Sequence, residues 1–146
     1  MFFPTDDLRD EEIFLRLDRT CEADPVKQYV PAYKFTICLR DGTEIGLCDL
    51  RIGHNERLYV GGNIGYEVFP AHRGHHYAAR AVELMKILAR RHGMEYLLIT
   101  CQPDNPASAK TILRAGGAFI ETAPVPQWHD MYERGLTVTC VYRIDL

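Results

Sequence analysis

Serine is almost missing from this chain: Ser108 is the single one, and no G-x-S-x-G occurs. That excludes a serine hydrolase of the nucleophile-elbow type, which needs an exposed serine on a strained strand-to-helix turn. No C-x-x-C pair occurs either. The five cysteines, Cys21, Cys38, Cys48, Cys101 and Cys140, are odd in number and widely spaced. Such a set builds neither a disulfide framework nor a zinc ribbon, and reads as small apolar side chains in a reducing compartment. No apolar run approaches the roughly 20 residues that a membrane helix requires. There is no basic excess: the formal charge is −3, whereas a general nucleic-acid binder presents a basic face. The first residues, Met1-Phe2-Phe3-Pro4-Thr5-Asp6-Asp7, contain neither the basic nor the apolar region of a signal peptide, so a cytoplasmic location is the default expectation. Repeats and low-complexity runs are absent as well.

What is present fits one globular domain over residues 1–146, with 47% hydrophobic and 25% charged residues. Ile13, Leu15 and Leu17 alternate with Phe14 and Arg16 as in a strand with one buried face. Residues 18–32 carry Pro25 and Pro31 and read as a loop. Tyr33–Leu39 and Ile45–Ile52 form a hairpin about Asp41-Gly42, and Gly53–Arg57 reads as a polar turn. Ile64–Phe69 is a strand ended by Pro70. A helix is expected from about Gly74 to Arg91, its apolar face made of Tyr77, Ala78, Ala81, Val82, Leu84, Met85, Leu88 and Ala89. Tyr96–Ile99 is continuously apolar, as in a strand covered on both faces. Strand, helix and strand together predict a right-handed parallel crossover. Asn105-Pro106 is a helix start, with a side-chain cap followed by proline at the first helical position. Ala109, Ile112 and Leu113 would be that helix's buried face. A short strand at Phe119–Glu121, a long loop at Thr122–Gly135 and a strand at Leu136–Ile144 complete the reading.

The most informative stretch runs from Asn63 to Phe119. After the strand at Ile64–Phe69, the turn Arg73-Gly74-His75-His76-Tyr77-Ala78 opens the long helix. A helix starting this way turns unpaired N–H groups and the positive end of its dipole outward, which suits a phosphate. Asn105-Pro106-Ala107-Ser108 follows, and then Gly116 and Phe119. Together these segments resemble the GNAT superfamily of acetyl-CoA-dependent N-acetyltransferases, nearest to its ribosomal-protein and antibiotic acetyltransferase branch, over about residues 33–144. Arg73 and Ala78 fill the ends of the Q/R-x-x-G-x-G/A signature, His76 stands where its middle glycine is usual, and one residue more than usual precedes Phe119.

The resemblance implies an α+β fold of GNAT type: a mixed, mostly antiparallel sheet of about six or seven strands, a central parallel βαβ unit and helices on both faces. The helices usual between the first two strands would be shortened, since only about fifteen residues separate Leu17 from Tyr33. It implies acetyl-CoA as cosubstrate, held by Val68, Phe69, Arg73, Gly74, His75, His76, Tyr77, Ala78, Asn105 and Ser108. The backbone N–H near Val68 or Phe69 would polarise the thioester oxygen. The acceptor would be the amine of a small molecule or peptide, attacking directly in a ternary complex, with a homodimer left open and neither nucleic acid nor membrane as partner. Ile112 stands where many members carry the tyrosine that protonates the departing thiolate, so Tyr132 and His129 in the long loop become candidate donors. Glu67 is the candidate base, with Glu44 and Asp130 as alternatives. His54, Asn55, Trp128, His129 and Asp130 would line the acceptor groove. A CoA-binding sensor or partner module without catalysis is the alternative reading. His72 and His76 are four residues apart, but Pro70 and Gly74 put His72 ahead of the helix and no further ligand lies near, so no metal site is expected.

Overall fold

The computed structural model describes residues 1–146. The elements follow in the order β1 (Ile13–Cys21), β2 (Ala32–Leu39), β3 (Glu44–Arg51), α1 (Glu56–Gly61), β4 (Ile64–Val68), α2 (Tyr77–Arg91), β5 (Tyr96–Cys101), α3 (Pro106–Arg114), β6 (Ala118–Pro124), α4 (Asp130–Glu133) and β7 (Val138–Asp145). A single 3-10 turn at Pro70–His72 joins β4 to the start of α2. The seven strands divide into a four-stranded sheet, β1-β2-β3-β4, and a three-stranded sheet, β5-β7-β6.

Every ladder in both sheets is antiparallel. The β4–α2–β5 crossover expected from the sequence is present, but its two strands are not joined by a parallel ladder. One residue makes the junction. The N–H of Asn63 donates to Leu98 O at 2.6 Å, and its side-chain oxygen accepts from Leu98 N–H at 2.8 Å. The Asn63 amide nitrogen also donates to the carbonyls of Arg51 and Gly53, at 3.0 and 2.7 Å. Fully buried, Asn63 therefore ties β3, β4 and β5 at one point. Gly62 lets the backbones meet there: at φ +78° it holds a left-handed conformation, and a Cβ would press on Leu98 O at 3.2 Å.

One core serves both sheets. Tyr33, Phe35 and Ile37 of β2, Leu97 and Ile99 of β5 and Ile144 of β7 pack with Val82, Met85 and Leu88 of α2 and with Ile112 of α3. On the opposite face of the smaller sheet, Leu98, Ala123 and Val141 pack with Val60 of α1. Helices thus lie on both faces, as the periodicity of α2 and the two-sided burial of β5 require. No helix lies between β1 and β2. Instead α1 falls within and beyond the stretch read as the Gly53–Arg57 turn, capped by Asn55, whose side chain accepts from Leu58 N–H. The expected loop at Thr122–Gly135 is shorter, because β6 extends through Pro124 and α4 occupies Asp130–Glu133. Leu17 is 40% exposed, beside the register shift between Leu17 and Arg19 that breaks the alternation of β1. No helix is long and apolar enough to cross a membrane.

Candidate active site

Beyond Asn63 the two sheets diverge, and a cleft of about 1050 Å³ opens between β4, the start of α2 and the start of α3. Its position follows from the hydrogen-bond parity of β4. Arg51 N–H donates to Asn63 O and Phe69 N–H donates to Ile45 O, at 2.7 and 2.8 Å. These end bonds turn the odd residues of β4 toward β3. The even residues, Tyr66 and Val68, therefore turn their backbone groups toward the diverging side. The Val68 carbonyl is taken by Arg73 Nε at 2.8 Å, which leaves its N–H facing the cleft. Gly46 keeps β4 this close to β3: a side chain at that position would collide with the carbonyl of Glu67.

The turn before α2 has a left-handed residue twice, Gly74 at φ +91° and His76 at φ +63°. Histidine is among the few residues other than glycine enriched in that conformation, so His76 keeps the turn that a glycine would otherwise make. His76 is the N-cap of α2, and no side chain caps the helix. Arg80 N–H is the first to find a partner, His76 O at 3.1 Å. The amides of Tyr77, Ala78 and Ala79 thus have no intrahelical acceptor. No acidic side chain lies in the first turn to compete for them.

Across the cleft, Asn105 caps α3 by accepting from Ser108 N–H at 3.1 Å. The Ser108 hydroxyl meets the Tyr66 hydroxyl at 2.8 Å. Burial raises the Tyr66 phenol above its ordinary pKa, against the opposing effect of the Ser108 hydrogen bond. Tyr66 thus stays a neutral hydroxyl, with β4 and α3 joined across the gap. Of the residues expected at a cofactor, Val68, Arg73, Gly74, His76, Tyr77, Ala78, Asn105 and Ser108 line the cleft together. Two do not. The N–H of Phe69 is spent on Ile45, which removes it as an oxyanion donor. His75 is exposed and leans on the Tyr77 ring, 5.3 Å between centroids.

The candidate catalytic residues separate more sharply. Glu67 lies on the face of β4 opposite Tyr66 and Val68. It nevertheless borders both this cleft and a shallower groove on the open face of the four-stranded sheet. His129 and Tyr132 lie elsewhere and line neither. His129 is buried as the N-cap of α4: its Nδ1 accepts from Met131 N–H at 3.1 Å, and its Nε2 meets the Arg57 carbonyl at 3.0 Å. Both ring nitrogens are used within the cap and the α1 contact. His129 is thus a capping residue, in place of the expected proton donor. Tyr132 projects from α4 and is partly exposed. The alternative bases are also engaged: Glu44 pairs with Arg16 at 2.9 Å and Asp130 with Arg57 at 2.6 Å. His54 stacks on Tyr96, with 4.1 Å between ring centroids.

The structure adds residues that the sequence did not single out. Tyr66, Lys110, Thr111 and Arg114 line the cleft, and so does Leu113, which is 55% exposed although it was expected in the core. Ile112 takes the core position instead and is fully buried. The signal for Leu113 was available: a helix packed by Ala109 and Ile112 turns position 113 about 100° away from 112, toward the cleft. No group of three or more potential metal ligands converges anywhere.

Known proteins share this fold. A family model described as the Acetyltransferase (GNAT) domain matches residues 2–118. Among curated proteins no sequence match is significant. An acetyltransferase from Agrobacterium tumefaciens is 24% identical with a TM-score of 0.59, covering 79% of this chain and 61% of that one. The microcin C7 self-immunity acetyltransferase MccE, solved in complex with acetyl-CoA and AMP, is 18% identical with a TM-score of 0.60, covering 79% and 61%. RimL, the ribosomal L7/L12 α-N-protein acetyltransferase, is 18% identical with a TM-score of 0.58, again covering 79% and 61%. This chain therefore spans 61% of the length of each of these three. At such identities the likeness is one of fold. The family match extends over most of the sequence and includes β4, the turn before α2, and α3: the chain belongs to the GNAT acetyltransferase family.

Proposed function

We propose that this chain transfers an acetyl group from acetyl-CoA to a primary amine by direct attack. The observation that carries the reading is the cleft between β4, the start of α2 and the start of α3. It brings together an uncapped helix start, a strand N–H turned away from its sheet, and a hydroxyl pair. The residues present fit the cosubstrate. The Tyr77–Ala79 amides and the left-handed turn at Gly74 and His76 make an anion cradle suited to a pyrophosphate. Lys110 and Arg114 supply cations in the same cleft, where further phosphate is expected, and Leu113 offers it an apolar wall. Acetyl-CoA supplies the thioester carbon that the amine attacks.

Each remaining need falls to a residue of this chain. The Val68 N–H donates to the thioester oxygen, on which negative charge develops. Glu67, at the boundary of cleft and groove, accepts the proton that the amine loses on attack. The Ser108 hydroxyl delivers its proton to the departing sulfur and regains one through the Tyr66 hydroxyl, its partner at 2.8 Å, which takes up a proton from water as it passes its own on and so stays neutral. That pair fills the role left open by Ile112, whose buried side chain has no proton to give. A thiol is a good leaving group, so the contribution of the pair is modest, at the lower end of about 10²-fold for general acids.

The binding step is tested directly. Acetyl-CoA at about 100 times its Kd stabilises the folded state by about 2.7 kcal/mol through mass action. A chain of this size then melts roughly 8 °C higher. NAD, ATP and zinc are expected to give no comparable shift. Gly74→Val forces a β-branched residue into a left-handed conformation in open surroundings, and weakens acetyl-CoA binding about tenfold or more with little change in fold. An unchanged melting temperature with saturating acetyl-CoA overturns the reading.

The proton donor is tested by comparing kcat for Ser108→Ala, Tyr66→Phe and Tyr132→Phe. The first two are expected to lower kcat by about 10- to 100-fold, and the third to leave it unchanged. A selective loss in Tyr132→Phe would return proton donation to α4.

A further inference from the structure

The groove on the open face of the four-stranded sheet changes charge along its length. Glu67 of β4 pairs with Leu47 of β3. Two residues along, Asp49 of β3 pairs with Lys34 of β2, and Lys34 pairs with Arg19 of β1. Directly paired residues point to the same side of a sheet, and so do residues two apart. Glu67, Leu47, Asp49, Lys34 and Arg19 therefore share one face, and Leu47, 45% exposed, shows that no helix covers it. Glu67, Asp49, Lys34 and Arg19 line the groove together.

At the end away from Glu67 the groove runs into a pocket of about 420 Å³, reached across Arg19 and Lys34, which border both. Five of its lining residues are basic and two acidic, in a chain whose formal charge is −3. Some of that charge is already matched. Arg51 pairs with Asp49 at 2.9 Å, and Lys34 with the same carboxylate at a looser 3.4 Å. Arg57 pairs with Asp130 at 2.6 Å and lies over the Tyr29 and Trp128 rings, 5.3 and 5.6 Å from their centroids. Arg57 is thereby fixed as a wall of the pocket, with its Nε buried and unpartnered. Arg19 and Arg134 face the pocket with no carboxylate of their own.

Two unpaired guanidinium groups with a loosely held ammonium between strands suit a carboxylate or phosphate, which guanidinium binds in a bidentate manner. Backbone positions of Glu67 and of Lys34 and Arg19 are about 12 and 16 Å apart, from two residues of rise at ~3.3 Å and two or three strand spacings at ~4.8 Å. Their long side chains reduce that span to the length of a small molecule. We propose that the acceptor amine carries an anionic group, carboxylate or phosphate, which Arg19 and Arg134 hold with Lys34 while the amine rests at Glu67. This rests on the acetyl-transfer reading, since that reading makes the groove the acceptor's path.

The test uses four amines in two matched pairs: ε-aminocaproate with its uncharged amide, and aminohexyl phosphate with its alcohol. Binding of each is measured calorimetrically to the full chain in the presence of CoA, and turnover is followed by thiol release with acetyl-CoA. Each anionic member is expected to bind at least about tenfold more tightly than its neutral partner, with the advantage shrinking as salt rises. The better of the two pairs identifies carboxylate or phosphate as the group. In R19Q/R134Q the advantage falls below about twofold. R19K/R134K, which keeps the charge and loses the bidentate fork, retains an intermediate advantage. R90Q, on the exposed side of α2, retains all of it. Equal affinity within both pairs, or an advantage that survives R19Q/R134Q, overturns the proposal. Its failure is separable from that of the acetyl-transfer reading. Acetyl-CoA that binds without any anion preference removes only the anionic acceptor. An anion preference abolished by R19Q/R134Q, in a chain that does not bind acetyl-CoA, removes only the acetyl transfer.

Discussion

Asn63→Leu is expected to lower the unfolding free energy by about 3–5 kcal/mol and the melting temperature by roughly 10 °C or more. Leucine matches asparagine in size but makes none of its side-chain hydrogen bonds. The change strands three backbone groups at once: the buried Leu98 N–H and the partly buried carbonyls of Arg51 and Gly53. Each buried group left without a partner costs about 1–3 kcal/mol. A hydrogen bond at a free surface would be replaced by water, but the Asn63 side chain is fully buried and so is its bond to Leu98 N–H. The site should feel the change as well, because Asn63 is where the two sheets meet and the cleft begins. Acetyl-CoA affinity is expected to fall along with stability. Urea unfolding of wild type and variant gives the number. A loss below about 1 kcal/mol would mean that the sheets are held together by their shared core and not by this residue.

Glu67→Gln is expected to lower kcat at pH 7 by about 10²–10⁴-fold for a lysine-like acceptor. Such an amine, with a pKa of about 10.4, costs about 4.6 kcal/mol to deprotonate at pH 7, and glutamine takes no part in that. The sign of the pH dependence follows. As pH rises, the free amine becomes about tenfold more abundant per unit and the need for the carboxylate falls. The gap between wild type and Glu67→Gln should therefore narrow steadily from pH 7 to pH 9. An α-amine, with a pKa of about 7.8, costs only about 1 kcal/mol at pH 7, and the variant should be much less impaired with it. Steady-state kinetics with both kinds of amine measure both effects. A loss that does not depend on pH or on amine basicity would make Glu67 a positioning residue, with the proton leaving through water.

The two parts of the site differ in how far the sequence disclosed them. The cofactor cleft was legible, because its parts are local. The turn at Arg73–Ala78 and the cap at Asn105–Ser108 each declare themselves in a few consecutive residues, through glycine at a left-handed position and through an Asn-Pro helix start. Even the departure at His76 is local, since histidine there adopts the backbone angle that glycine would. The residues assigned by elimination fared differently. Tyr132 and His129 are candidates in the sequence only because a polar loop is a common place for function. The same segment folds as a capped helical turn, and His129 serves that cap. The Tyr66 and Ser108 hydroxyls lie 42 residues apart in sequence, and no periodicity relates them.

The sequence by itself determined most of the strands, the two long helices, the apolar faces of α2 and β5 and the phosphate-type helix start. These depend on spacings of two, three and four residues along one chain, which hydrophobic burial and backbone geometry read directly. The tertiary structure alone decided that β4 and β5 part after Asn63, that Val68 turns its N–H into the gap, and that Arg19, Lys34 and Arg134 gather at the far end of Glu67's groove. The reason is physical. Register between strands fixes which side chains share a face and which backbone groups stay unpaired, and that register is set by contacts far apart in sequence.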